Sequence, residues 1–269
     1  MTETPRQMQT LTCRIDPARV ATLNTSLGIA GSAPRPFAHQ IYFWDAQPKE
    51  KLGRDGHPKT GGLIPDMGLP RRMWAGGRLQ FFEDLELGLE ARKQTVLQGV
   101  ERKTGRAGPL ALVTLSHEVF QGETLCVREE QDLVYLNDPA PDAPKPVPPV
   151  AATDETSRQV RSFDATDLFR YSALTFNGHR IHYDRDYCRE VEGYPGLVVH
   201  GPLLAQYLMI MAQDLLGGLG AFSFRATAPL FDLEAAEFCA RPDGDGGDGL
   251  ALWVRGPDGR QCMRAEAAL

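Results

Sequence analysis

The chain has 269 residues, 42% hydrophobic and 24% charged, with a formal net charge of −6. That length can bury one large core or two smaller ones, and the composition is that of an ordinary globular protein, neither disordered nor fibrous. The acidic balance and the lack of any basic run exclude a nucleic-acid binder, so an anionic ligand has to be captured by local arginines.

Five scattered cysteines (Cys13, Cys126, Cys188, Cys239 and Cys262) contain no CxxC pair, which predicts neither a disulfide framework nor a zinc site. The N-terminus lacks the basic-then-apolar order of a signal peptide, and no apolar run approaches the ~20 residues of a membrane span. These features predict a cytoplasmic protein with no membrane partner.

In chain order, the first notable segment is Arg71-Arg72-Met73-Trp74-Ala75-Gly76-Gly77. Two cations, an aromatic and a glycine pair suit a nucleotide or phosphate rim by stacking and charge, or a surface turn with a packed tryptophan. Short alternating runs over Leu110–Leu115, Leu125–Arg128 and Leu133–Leu136 read as strands. From Asp138 to Pro149 the sequence is DPAPDAPKPVPP, six prolines in twelve residues, which reads as an extended spacer. The chain is therefore divided into a first unit over 1–137, a linker over 138–157 and a second unit over 158–269. The halves echo one another. Leu85-Glu86-Leu87-Gly88 leads to Leu110-Ala111-Leu112, and Leu230-Phe231-Asp232-Leu233 leads to Leu250-Ala251-Leu252, each through a Gly-containing turn.

The densest chemistry lies in Asn177-Gly178-His179-Arg180-Ile181-His182-Tyr183-Asp184. His182 is the candidate general acid/base, because an imidazole both takes and gives a proton near neutrality. Asn177 holds a water or polarises a carbonyl, or is an ordinary turn residue. Asp184 orients an imidazole or caps a helix over Arg185–Glu192. Arg180 pairs a substrate carboxylate or phosphate, or makes a structural ion pair. His179 joins His182 at i, i+3 spacing, but no further ligand cluster supports a metal, so none is expected. A third imidazole, His200, precedes a strongly apolar segment, GPLLAQYLMIMAQDLL, and either contacts ligand or packs at the helix start. That segment predicts a buried helix over Gly201–Leu216, opened by Pro202 and closed by Gly217-Gly218. Its N-terminus offers free N–H groups, and Gly201 lets a ligand carbonyl come close to the backbone. Leu250–Val254, Gly256-Pro257-Asp258-Gly259 and Gln261–Met263 then read as a hairpin. No P-loop, strand-linked GxGxxG, GxSxG or HExxH occurs.

The runs YSALTFNGHRIHYD and YPGLVVHGPLLAQYLM resemble MaoC-like enoyl-thioester hydratases and dehydratases of the hotdog superfamily. Within them the chain looks most like the branch of hydroxyacyl-thioester dehydratase type 2 and the mesaconyl-C4-CoA and itaconyl-CoA hydratases. PRRMWAGGRLQF, ERKTGRAGPLALV and VREEQDLVYL look like that branch's N-terminal, FAS1-like dehydratase domain. The resemblance implies an α+β double hotdog, two long helices each wrapped by an antiparallel sheet. It also implies reversible hydration of an enoyl-CoA, with CoA part of the substrate and no separate cofactor, in a homodimer. R-specific relatives carry an Asp and, five residues later, a His; this chain has Asn177 and His182 at those positions. His182 would then carry most of the proton transfer, helped by Asp184 or His200. Gly201 would bind the thioester carbonyl, Arg180 the free carboxylate of a C5 dicarboxylic acyl group, and Arg71 or Arg72 the CoA phosphates. The product from itaconyl- or mesaconyl-C4-CoA would be citramalyl-CoA. The alternatives are a fatty-acid-type 3-hydroxyacyl-thioester dehydratase, a hotdog thioesterase and a non-catalytic acyl-thioester binding module.

Overall fold

The computed structural model describes residues 7–105, 108–139, 146–244 and 248–269. Five strands come from the first half: β1 (Met8–Arg14), β2 (Arg71–Phe81), β3 (Glu90–Gly105), β4 (Gly108–Gln121) and β5 (Thr124–Leu136). Five come from the second: β6 (Ser157–Ser162), β7 (Ala221–Ala226), β8 (Ala235–Pro242), β9 (Gly249–Arg255) and β10 (Gln261–Ala268). All pair antiparallel in one ten-stranded sheet, ordered β1-β3-β4-β5-β2-β7-β10-β9-β8-β6. Read outward from the centre, the two halves follow the same order. The internal echo therefore falls on equivalent strands, with Leu110-Ala111-Leu112 in β4 and Leu250-Ala251-Leu252 in β9.

Alternation explains why these segments are strands. In β4 the buried positions are Ala111, Val113, Leu115, His117 and Val119, every second residue. One polar residue, His117, interrupts an otherwise apolar inward line.

The seam of the two halves is β2 against β7, with Gly76 opposite Arg225 and Gly77 opposite Phe224. A Cβ on Gly76 would lie 2.5 Å from the Phe224 carbonyl oxygen, and one on Gly77 2.9 Å from the Phe224 ring. The glycine pair thus lets two backbones and an aromatic ring meet. It belongs to the seam between the halves and does not form the phosphate rim expected from composition.

The apolar segment forms helix α4 (Gly201–Leu216), buried at every residue from Pro202 to Ala212 and closed by Gly217 at φ 77°. It lies against β7, β8, β9 and β10. The first unit is less regular. Its helix α1 (Pro17–Ser26), capped by Asp16, is ten residues long, so the second of the two helices is the long one. Between α1 and β2 the described chain runs through two 3-10 turns, Ala38–Ile41 and Lys49–Lys51, and packs Phe37, Ile41, Tyr42 and Phe43 into the core. Two more helices, α2 (Ala165–Thr175) and α3 (Arg185–Glu190), flank the polar motif. The architecture is a double hotdog of unequal halves.

Of the proline-rich linker, residues 140–145 lie outside the described residues. Its later part packs on the second unit: Val150 bridges Arg260, and Ala151 N–H donates to the Gly259 carbonyl (2.9 Å). No helix of the described chain is long and apolar enough to cross a membrane.

Candidate active site

Local chain geometry sets the motif between α2 and α3. Asp164 caps α2 in a capping box with Asp167, and Phe176 ends the helix in the left-handed region at φ 52°. A non-glycine residue there carries strain, located one residue before Asn177. Asn177 N–H returns to the Ser172 carbonyl (2.9 Å), and its Oδ1 accepts from His179 N–H (3.0 Å). A 3-10 turn over Arg180–His182 follows. A loop of the first unit crosses this motif. Arg180 N–H donates to the Asp55 carbonyl (2.9 Å), while Gly56 and Gly178 approach so closely that a Cβ on either would meet the other's carbonyl oxygen, at 2.1 and 2.8 Å.

Four of the chain's six histidines form a row in this region. His182 and His200 stack with centroids 3.6 Å apart at 18°; His179 meets His182 edge-on at 5.6 Å, and His57 lies 4.9 Å from His179. His57 comes from the crossing loop, and no motif in the sequence singles it out. His182 Nδ1–H donates to the Val198 carbonyl (2.7 Å), which fixes the tautomer and leaves the Nε2 lone pair with no protein partner among the described residues. Burial lowers the His182 pKa to about 4 against a small opposing effect of that hydrogen bond, so the ring is neutral near pH 7. His179 is lowered to about 2 by burial and by the charges of His182, Arg72 and Arg71. His200 is also held neutral by burial and by its imidazole neighbours. Ser172 Oγ–H donates to His200 Nε2 (2.8 Å), an assignment that leaves only His200 Nδ1–H unpaired. The Tyr171 ring closes the far edge of His200 at 5.0 Å.

His200 is also the residue before α4, and its side chain makes no cap hydrogen bond. Among the described residues the Gly201 and Leu203 N–H groups have no partner, and Pro202 has none to offer. The stacked imidazoles therefore stand beside a helix N-terminus with free donors, the place where a carbonyl oxygen gaining charge is stabilised. A neutral base with a defined lone pair next to such donors can move a proton at a carbon near a carbonyl.

Other expected site residues are placed differently. Asp184 caps α3, accepting from Tyr187 N–H (2.9 Å), and pairs with Arg180 (2.7 Å). The Tyr187 N–H and the Arg180 guanidinium hold its carboxyl below the usual range. Of the two roles expected of it, the structure shows the helix cap, together with the Arg180 ion pair. Arg180 is likewise spent on Asp184, the Arg54 carbonyl (3.2 Å) and the Tyr187 ring, which leaves no free guanidinium for a substrate carboxylate. Arg71 is paired with Glu192 (2.6 Å) and Arg72 with Asp55 (3.1 Å), so a CoA phosphate would have to compete with these carboxylates. Trp74 donates to the Gly76 carbonyl (3.0 Å) and packs between Phe37 and Phe224; its carbonyl lies 3.9 Å from where a Cβ on Gly201 would sit.

The remaining two histidines belong to a buried polar cluster in the first unit that the sequence did not reveal. His39 Nε2 pairs with Glu129 (2.9 Å), joined by Gln40 (2.7 Å), while His117 contacts Thr95 (2.9 Å) and Gln131 (3.2 Å). Thr95, His117 and Glu129 are cross-strand neighbours, far apart in sequence and adjacent only through register. Burial alone would raise the Glu129 carboxyl, but the His39 hydrogen bond and the charges of His39, His117 and Lys93 hold it low. Among the described residues no group of three or more His, Cys, Asp or Glu side chains is arranged to hold a metal ion.

The profile of the family described as hydroxyacyl-thioester dehydratase type 2 matches residues 37–232. The chain is 46% identical over 256 residues to mesaconyl-C(4)-CoA hydratase of Chloroflexus aurantiacus, covering 94% of this chain and 90% of that protein. Its fold is similar to a MaoC-like dehydratase from Phytophthora capsici (TM-score 0.73, 11% identity, 98% and 95% of the two chains covered). It is similar too to a Mycobacterium tuberculosis protein with a double hotdog fold (TM-score 0.61, 15% identity, 98% and 96% covered).

Proposed function

The chain belongs to the hydroxyacyl-thioester dehydratase type 2 family, and from that premise we propose that this hydro-lyase adds water reversibly to a C5 dicarboxylic enoyl-CoA. The mesaconyl-C4-CoA type is preferred, giving citramalyl-CoA; the likeness to the Chloroflexus hydratase supports it. Itaconyl-CoA is the less favoured C5 substrate, since its double bond is not conjugated to the thioester and gains less from donors at the thioester oxygen.

The thioester oxygen takes the Gly201 N–H at the start of α4. The Asn177 amide, its oxygen occupied by His179 N–H, holds the water through its NH2 group. His182 Nε2 removes a proton as the water oxygen bonds to the β-carbon, and the π electrons move into a thioester enolate. The imidazolium then returns a proton to the α-carbon, so one water is added and His182 ends neutral. The observation that carries this reading is the His182 tautomer, set by the Val198 carbonyl, beside the free N–H groups of α4. The reaction needs no cofactor, because CoA is part of the substrate. We place the enzyme in the cytoplasm as a homodimer, which light scattering would show as twice the 29.6 kDa chain.

The thioesterase alternative loses ground here. The one carboxylate of α4, Asp214, is engaged with Arg35, and Gln206 donates to the Pro36 carbonyl. The test is loss of enoyl-thioester absorbance with mesaconyl-C4-CoA and crotonyl-CoA, and chromatographic detection of the hydrated product with itaconyl-CoA, each in the presence of a thiol reagent. The expected result is rapid loss with mesaconyl-C4-CoA, no thiol release, and a rate about 10²-fold lower or more in His182→Ala. Thiol release would indicate a thioesterase, and binding without turnover an acyl-thioester binding module.

A further inference from the structure

The dicarboxylic reading leaves one charge without a receptor. In an acyl group of the mesaconyl-C4 type the free carboxylate is bonded to the β-carbon, the atom that water attacks. A carbon–carbon bond spans about 1.5 Å, so the carboxylate has to lie beside the water-activating imidazole. Arg180, the nearest guanidinium in sequence, is committed to Asp184 and the Arg54 carbonyl.

The row of imidazoles continues away from His182 in the other direction. His179 is the next ring, 5.6 Å from His182, and His57 follows at 4.9 Å. The His179 ring is buried, yet neither of its nitrogens has a hydrogen-bond partner among the described residues. Neither nitrogen is sealed off inside the protein, so both are open to a bound group. The surroundings favour an anion. Arg72 and Arg71, though paired, still push positive charge off His179, after burial itself. His57 is half-buried on the loop from the first unit, whose position is set where Gly56 crosses Gly178.

Resting on the hydratase reading above, we propose that the His57–His179 pair is the receptor for the free carboxylate of the acyl group and selects dicarboxylic over monocarboxylic enoyl-CoA. One ring comes from each unit, so selection requires both halves of the chain. Two imidazole N–H donors on the carboxylate also draw charge away from the attacked carbon, which would otherwise repel an incoming hydroxide-like oxygen. The same contact therefore serves binding and reaction.

The test compares mesaconyl-C4-CoA with crotonyl-CoA, which lacks the carboxylate, in wild type, His57→Ala and His179→Gln. In parallel, titration calorimetry measures binding of two unreactive thioesters, succinyl-CoA and butyryl-CoA. The expected result is that the ratio of kcat/KM values, dicarboxylic over monocarboxylic, falls about 10- to 100-fold in each variant. The succinyl-CoA to butyryl-CoA affinity ratio should fall with it. His57→Ala changes a half-buried loop residue and keeps the test decisive should His179→Gln not fold. An unchanged ratio in a folded variant overturns the proposal, as does an equal loss on both substrates. If wild type hydrates none of these thioesters, the hydratase reading fails by itself. The affinity ratios then decide the carboxylate site alone: loss in the variants upholds it and no change overturns it.

Discussion

Acidification should unfold this protein, and the buried imidazoles indicate how steeply. His182 and His117 are each lowered to about 4 and His179 to about 2, all chiefly by burial, against about 6.5 in an unfolded chain. A folded pKa below the unfolded one means that the unfolded chain binds more protons between those values. The stabilisation from keeping these rings neutral is therefore complete above about pH 6.5 and is lost as pH falls toward 4. At pH 5 each ring costs about 2 kcal/mol relative to neutral pH, hence about 6 kcal/mol for the three. His200 adds to the loss in the same direction. Six kcal/mol is comparable with the whole stability of many domains, roughly 5–15 kcal/mol. Urea unfolding followed by fluorescence at pH 7.5 and pH 5.0 measures it, with a large fall in midpoint expected at the lower pH. His117→Gln, outside the active site, should remove about a third of the pH dependence. Equal midpoints at the two pH values, or a higher one at pH 5.0, would refute the argument that these rings are buried and neutral.

Three further outcomes follow from particular contacts. Gly76→Ala places a Cβ 2.5 Å from the Phe224 carbonyl and should cost about 1–3 kcal/mol or more in urea unfolding, because β2 and β7 have to part. Asp184→Ala should lose about 1 kcal/mol of stability with the α3 cap while kcat stays within a few-fold of wild type; a 10²-fold rate loss would restore Asp184 to the chemistry. Glu129→Ala strands His39 in the core and should destabilise by about 3–5 kcal/mol in a thermal melt. Retention of the wild-type melting temperature would mean that this pair is not buried as described.

What could be read from sequence, and what could not, divides along a physical line. Helix α4 was legible end to end, because Pro202, an unbroken apolar run and Gly217 are all local signals. So was the β9–β10 hairpin, whose turn closes with Gly256 N–H donating to the Arg260 carbonyl (2.9 Å). The dense motif and the helix start are local signals too, and they single out His182 and Gly201 as candidates. The residues hardest to read are those whose partners lie far along the chain. Arg71 and Arg72 read as ligand-binding cations because Glu192 and Asp55 lie outside any local spacing, whereas the Arg180–Asp184 pair, four residues apart, is within reach of the sequence. His57 was overlooked because its neighbour His179 lies more than a hundred residues away along the chain. Strand register brought Glu129 to His117, and no spacing rule in one sequence reveals that. Local grammar specified the elements, whereas pairing across the fold decided which charges remain free.

The central seam sets a glycine against a phenylalanine, Gly77 opposite Phe224. It is a hole facing a knob, and neither half carries both. Two first units meeting along this edge would leave the hole unfilled, and two second units would bring bulk against bulk. The edge therefore favours the pairing of unlike units over like ones. A second unit from a neighbouring chain would fit this edge equally well, so it is the covalent connection, by holding the two halves at high effective concentration, that favours the complementary half of the same chain.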